Sequence, residues 1–148
     1  MPTLRSFFKK NGFPAAPKLM TDWGPTNTGW FRSGIEHKRT ELRRLMIDLP
    51  EVSWLLIGDD GQHDPLIYSE MVREHSDRVA AVAIRRLSQK EQVLAGTQFA
   101  HPMGLGPVAR ALAESDVPVV VGRDGYELAR LLPAWIMGGD APGETRRR

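Results

Sequence analysis

Three carboxylates fall within the six residues Asp59–Asp64 of the stretch Gly58-Asp59-Asp60-Gly61-Gln62-His63-Asp64, directly after the apolar run Ser53–Ile57. Carboxylates held this close repel, raise one another's pKa and draw in a counter-charge. A hard divalent cation answers that need. Mg²⁺ takes oxygen ligands, typically one or two carboxylates together with water and phosphate oxygens. Gly58 and Gly61 would let the backbone turn tightly against a ligand. Asp59, Asp60 and Asp64 are therefore candidate metal ligands. The competing reading is structural: Asp59–Gly61 as a polar turn, and Asp64 as the cap of a helix with Pro65 in its first turn.

Lys38 is the second candidate. With His37 it lies at the start of a helix, one element before the carboxylate loop. At the same sheet edge its compact ammonium would neutralise a phosphate; on a solvated helix face it would have no such role. Asp22-Trp23-Gly24-Pro25-Thr26 comes third, as a nucleophile or ligand after a strand or, more simply, as a turn. His63, His75 and His101 have no partner at a metal-ligand spacing such as HExxH. Gly104-Leu105-Gly106-Pro107 is followed by no Lys or acidic partner and is discounted as a phosphate loop.

The elements that must position these groups can be read from periodicity. Thr3 caps a short helix over Leu4–Asn11, stopped by Gly12. Lys18–Thr21 reads as a short strand, and Asp22–Gly34 as a loop long enough to be functional. Glu36–Leu49 reads as a helix: Leu42, Leu45, Met46 and Leu49 form its apolar stripe, and Arg39, Arg43 and Arg44 face water. Ser53–Ile57 is a strand covered on both faces. A helix from Asp64–Pro65 to about His75 follows, then a buried strand within Arg78–Leu87. Ser88 and Glu91 have the spacing of a capping box. Beyond a loop over Gly96–Gly106, the chain reads as a helix over Pro107–Ser115, a strand over Val117–Val121, and a last helix over Tyr126–Met137 that Pro133 kinks or ends early. Alternation of this kind predicts an α/β fold with a parallel, Rossmann-like sheet and flanking helices. Such sheets bind ligands at the carboxyl ends of their strands.

The 148 residues are about right for one domain. Twenty Lys and Arg against eighteen Asp and Glu give +2, but without the terminal Arg146–Arg148 the balance is 17 to 18. A nucleic-acid reader carries its basic surface on the folded domain, so no nucleic-acid partner is expected. The absence of cysteine excludes a disulfide scaffold, a thiolate metal site and a Cys nucleophile. No apolar run approaches a membrane span, and the N-terminus lacks the pattern of a signal peptide, so a soluble cytoplasmic protein is expected.

The stretches NGFPAAPKLMTDWGPT and HKRTELRRL…LPEVSWLLIGDDGQHDPLIYSEMVREHSDRVAAVAIRRLS resemble the C-terminal half of the catalytic domain of the actin-patch phosphatidate phosphatase family, in its bacterial branch. The resemblance runs from about Leu4 to Leu94 and is most specific over Gly58–Tyr68. It implies the haloacid dehalogenase type of Rossmann-like fold and a Mg²⁺-dependent phosphatase acting on a phosphorylated substrate, in this family phosphatidic acid. By position it assigns Lys38 to the lysine that neutralises the phosphoryl group, as a catalytic and substrate-binding residue. It assigns Asp59 and Asp64 to the metal-binding GDxxxxD signature. Asp60 falls where many relatives have Ser, as an outer-shell ligand or a polar loop residue.

The chain departs from the family in one respect. The superfamily's first motif, DxDxT or DxDxV, carries the nucleophile and the general acid/base, and no DxD occurs in this sequence. Asp22…Thr26 has the right ends, but Gly24 stands where the second Asp belongs, so the nucleophile is not assigned to Asp22. The resemblance places the first two motifs before Met1. Residues 1–95 are then the C-terminal half of a catalytic domain lacking its first strand and cap, 96–138 complete the same domain, and 139–148 are a disordered tail. The chain is expected to be inactive alone and to need a complementing N-terminal half, because it cannot supply the attack of a carboxylate on phosphorus. The alternative is a non-catalytic phosphate- or metal-binding interaction module. Trp23, Trp30 and Phe31 either touch a membrane peripherally or pack over the sheet end.

Overall fold

The computed structural model describes Ser6 and residues 9–12, 30–61, 63–94 and 114–138. Within these, helix α1 (Trp30–Asp48) leads to strand β1 (Trp54–Asp59), helix α2 (Asp64–Glu74), strand β2 (Val79–Arg85), helix α3 (Gln89–Leu94), strand β3 (Val119–Gly122), helix α4 (Gly125–Leu131) and a 3₁₀ turn (Ala134–Met137). The strands form one parallel sheet in the order β1-β2-β3. This is the expected Rossmann-like α/β arrangement.

Alternation of side chains along the strands divides the core in two. Leu56, Val82 and Ile84 face Met46 of α1 and Ile67, Met71 and Val72 of α2. Ala81 and Ala83 face Leu128 and Leu132 on the other side. Ile67, Met71, Val72, Val82 and Ile84 are the largest fully buried side chains. Burying each stabilises by about 1.5–3 kcal/mol against leaving it exposed, so the α2–β2 contact anchors the first face.

Several boundaries and faces differ from the sequence reading. α1 begins at Trp30 rather than Glu36. The tract Trp30–Ile35 holds no proline, and Gly34 is carried inside the helix at the modest cost of a glycine there. Arg39 and Arg43 do not face water alone. Arg39 donates to both carboxylate oxygens of Glu70 (2.7 and 2.6 Å), and Arg43 to both of Glu74 (2.8 and 2.7 Å). These forked pairs clamp α1 along α2, while Leu49 lies beyond the helix and is exposed. β1 is not covered on both faces: Ile57 is 60% exposed, because the helix on its side, α4, packs over β2 and β3.

Other expectations hold. Gly12 adopts a left-handed φ of 70° and donates to Lys9 O. Glu91 accepts from the Ser88 N–H and hydroxyl (2.9 and 2.8 Å), and its own N–H reaches Ser88 Oγ, closing the capping box. Pro133 ends α4, with the 3₁₀ turn beyond it. The strand over Lys18–Thr21, the Asp22–Thr26 stretch, the loop over Gly96–Gly106, residues 107–113 of the expected helix and the tail from residue 139 lie outside the described residues.

Candidate active site

β1 delivers Gly58 and Asp59 to the carboxyl edge of the sheet, and the chain turns there into α2. Asp64 is the first residue of α2, not its cap. The cap position belongs to His63, whose side chain makes no capping bond. The Asp64 carboxylate instead turns back over β1. Its Oδ1 is paired with the Lys38 ammonium, and its Oδ2 accepts from the Asp59 N–H at 3.3 Å. The close approach depends on Gly58: a Cβ there would lie 2.7 Å from Asp64 Cβ, well inside contact distance. The glycine thus makes room for the carboxylate.

Lys38 reaches this point from the middle of α1, which the two forked Arg–Glu pairs hold against α2. Its side chain is 42% exposed against 17% for Asp64, so the pair opens toward solvent on the lysine side. The ammonium also stands 5.7 Å from the ring centroid of Tyr68, within cation–π range. The Tyr68 hydroxyl donates to Ile57 O at 2.8 Å and pins α2 to β1. Burial raises the Tyr68 pKa, helped by the negative charges of Asp64 and Asp59, so the phenol stays a proton donor.

The other two aspartates serve the loop as well. Asp59 Oδ1 accepts from the Gly61 N–H at 2.9 Å. Asp60 lies at the end of β2: its N–H donates to Arg85 O at 3.0 Å, and its Oδ1 accepts from the Leu87 N–H at 2.8 Å. The loop therefore brings the Asp59 backbone and the Asp64 carboxylate together with Lys38, and ties Asp60 to the neighbouring strand. Among the described residues, no three His, Asp or Glu side chains converge as a ready-made metal cluster. The two carboxylates at Asp59 and Asp64 are a hard-oxygen donor set. Such a set fits Mg²⁺, which completes its shell with water and phosphate oxygens. His37, next to Lys38, has its Nε2 buried without a partner among the described residues.

Tyr68 was not picked out as a functional residue from the sequence. Its place four residues after Asp64 puts it on the same helix face, and that spacing was the available signal. Periodicity alone places Arg39 and Arg43 in water, because their partners lie 31 residues away in α2.

The fold and this edge define a Rossmann-like α/β protein with a cation and a carboxylate pair at the carboxyl end of its first described strand. A family model described as the catalytic domain of phosphatidate phosphatase APP1 matches residues 1–86, and the chain belongs to that family. No curated protein and no solved structure matches the chain. The family match covers α1, β1, α2 and β2, and with them Lys38, Asp59, Asp60 and Asp64.

Proposed function

We propose that this chain carries the phosphate- and metal-binding part of a Mg²⁺-dependent, phosphatidate phosphatase-like phosphohydrolase of the haloacid dehalogenase type, in its bacterial branch. The observation that carries the reading is Lys38 reaching across from α1 to the carboxylate of Asp64 above Gly58, beside Asp59. Asp59 and Asp64 would hold the ion, with Asp60 outside the first shell. The ion would supply positive charge to the phosphoryl oxygens. Lys38 binds the phosphoryl group and offsets its charge, and Tyr68 holds the strand end on which these groups sit. The substrate is a phosphate monoester, with phosphatidic acid as the family's own example, in a cytoplasmic setting.

Hydrolysis by this chemistry needs a carboxylate nucleophile and an acid/base in a DxDxT motif, and these 148 residues contain none. The chain is therefore inactive alone and acts with a complementing segment that brings the motif. Support for that segment comes from β1, which stands at one edge of the described sheet with Ile57 exposed. Peripheral membrane contact would run through Trp23, Trp30 and Phe31. Trp30 and Phe31 fall in the first turn of α1, and Trp23 lies outside the described residues.

The test is a phosphatase assay on the chain alone and mixed with an N-terminal half of a full-length family member bearing DxDxT. No turnover alone, and Mg²⁺-dependent turnover on mixing that Asp59→Asn removes, is the expected result. Mg²⁺-dependent turnover by the chain alone, lost in Asp59→Asn, would overturn the claim of inactivity. Absence of rescue on mixing would overturn the claim of complementation.

A further inference from the structure

A second cation stands at the same sheet edge. In the β1–β2 register Asp59 lies directly opposite Arg85, the last residue of β2. Strand alternation puts both on one face, because Leu55, four residues before Asp59, and Ala83, two residues before Arg85, pack in the Leu128–Leu132 cluster. Lys38 and Asp64 approach from the other face, where Gly58 and Ile84 are the register pair. Asp59 thus shares its face of the strand end with Arg85, and the Lys38–Asp64 pair stands across β1 from them. Asp60, through its N–H to Arg85 O, ties the loop to the same strand end.

Arg85 is not buried as a structural ion pair. Its side chain is 38% exposed, and it donates through NH1 to Glu91 at 2.8 Å. Glu91 is itself committed to Ser88 in the capping box. A guanidinium has five N–H donors in a planar fork, so one bond to Glu91 leaves it able to hold an anion. The negative field of Asp59 and Asp60 also reaches it and helps raise its pKa, after the bond to Glu91.

We propose that Arg85 is a second anion-binding residue of the site, taking an oxygen of the same phosphate monoester group on the β2 side, with Glu91 as its competitor in the absence of ligand. The inference rests on the proposed function, since it presumes that the carboxyl edge of β1 receives a phosphate.

Phosphate binding by the full chain, measured by calorimetry with inorganic phosphate in excess Mg²⁺, tests both layers separately. R85Q is expected to weaken phosphate binding about tenfold, in line with the loss of a charge-assisted hydrogen bond. E91Q, which releases the guanidinium, is expected to leave binding equal or stronger. If Arg85 serves only to hold Glu91, the two variants will behave alike, and this inference is overturned. Binding lost in K38M but untouched in R85Q overturns it too, while the site reading stands. Absence of phosphate binding by the unaltered chain overturns both. Co-sedimentation with phosphatidylcholine vesicles containing phosphatidic acid, lowered in R85Q, assigns the phosphate to a lipid headgroup. Weakened phosphate binding with unchanged co-sedimentation assigns it to a soluble monoester and upholds the anion site.

Discussion

Two strand-to-helix turns in this molecule start from nearly the same residues and end differently. β1 runs into Gly58-Asp59 and reaches α2 at Asp64; β3 runs into Gly122-Arg123-Asp124 and reaches α4 at Gly125. Both glycines are tight. A Cβ on Gly122 would come within 3.1 Å of Leu128 N, and one on Gly58 would strike the Asp64 side chain. The aspartates part company. Asp124 is a true cap: its extended backbone precedes the helix, and its Oδ1 accepts from the Glu127 N–H at 2.8 Å. Asp64 caps nothing. It lies one place inside its helix, faces Lys38 and accepts from the Asp59 backbone across the turn. A capping carboxylate spends its charge on its own helix. One that leaves its helix uncapped and gathers a lysine from another element is arranged for something else, and that difference separates the candidate site from an ordinary turn.

The largest contrast is expected at the two glycines. Gly58→Ala should abolish Mg²⁺ and phosphate binding and destabilise the fold by about 1–3 kcal/mol, as overpacking does. The overlap falls on the Cβ of Asp64, which cannot yield without moving α2. Gly122→Ala, at 3.1–3.2 Å, should cost less and leave binding intact. Denaturant unfolding together with calorimetry checks both. Equal binding losses in the two variants would erase the distinction drawn between the turns.

The aspartates come next. Asp124→Ala should cost about 1 kcal/mol in a thermal or urea melt, as loss of a cap does. Asp64→Ala should cost less than that, because no capping bond is lost and Lys38 keeps access to water. If Asp64→Ala were the more damaging, the carboxylate would be a structural group after all. Tyr68 extends the comparison. Four residues after its aspartate, α4 carries Leu128 where α2 carries Tyr68. Tyr68→Phe removes the bond to Ile57 O and should cost about 1 kcal/mol, read by the same melts.

The smallest effect is electrostatic and lies away from both turns. Bonds from the Ser88 backbone, Arg85 and the Ser88 hydroxyl lower the Glu91 pKa from its ordinary 4.5 to about 2. A depressed acid contributes stability above its unfolded pKa and loses it as pH falls through the folded value. The stability difference between the unaltered chain and Glu91→Gln should therefore be constant above about pH 5 and shrink to nothing near pH 2. Thermal melts across that range check it, and a difference that persists below pH 2 would contradict it.

Much of this was legible in the residues because it is local. The Ser88–Glu91 box, the Gly12 stop and the break at Pro133 depend on neighbours within a few positions. The buried run of β2 announces itself by being apolar throughout. The misreadings involve distance. Periodicity placed Arg39 and Arg43 away from the apolar stripe, but no local pattern says that Glu70 and Glu74 wait there on another helix. The apolar run Ser53–Ile57 likewise predicts a strand covered on both faces, because an apolar strand does not record where the nearest helix lies. Asp64 was open to two readings for a related reason. Asp-Pro at a helix start is a capping signal by composition, and only the third dimension shows His63 in the cap position and Lys38 at the carboxylate.

The most direct test of the central claim, that the β1 turn is a site and the β3 turn a cap, is calorimetric titration of Mg²⁺ into the chain in the presence of inorganic phosphate, repeated for Asp64→Asn and Asp124→Asn. Binding is expected for the unaltered chain and for Asp124→Asn, with its loss in Asp64→Asn. Binding that survives Asp64→Asn unchanged would contradict it.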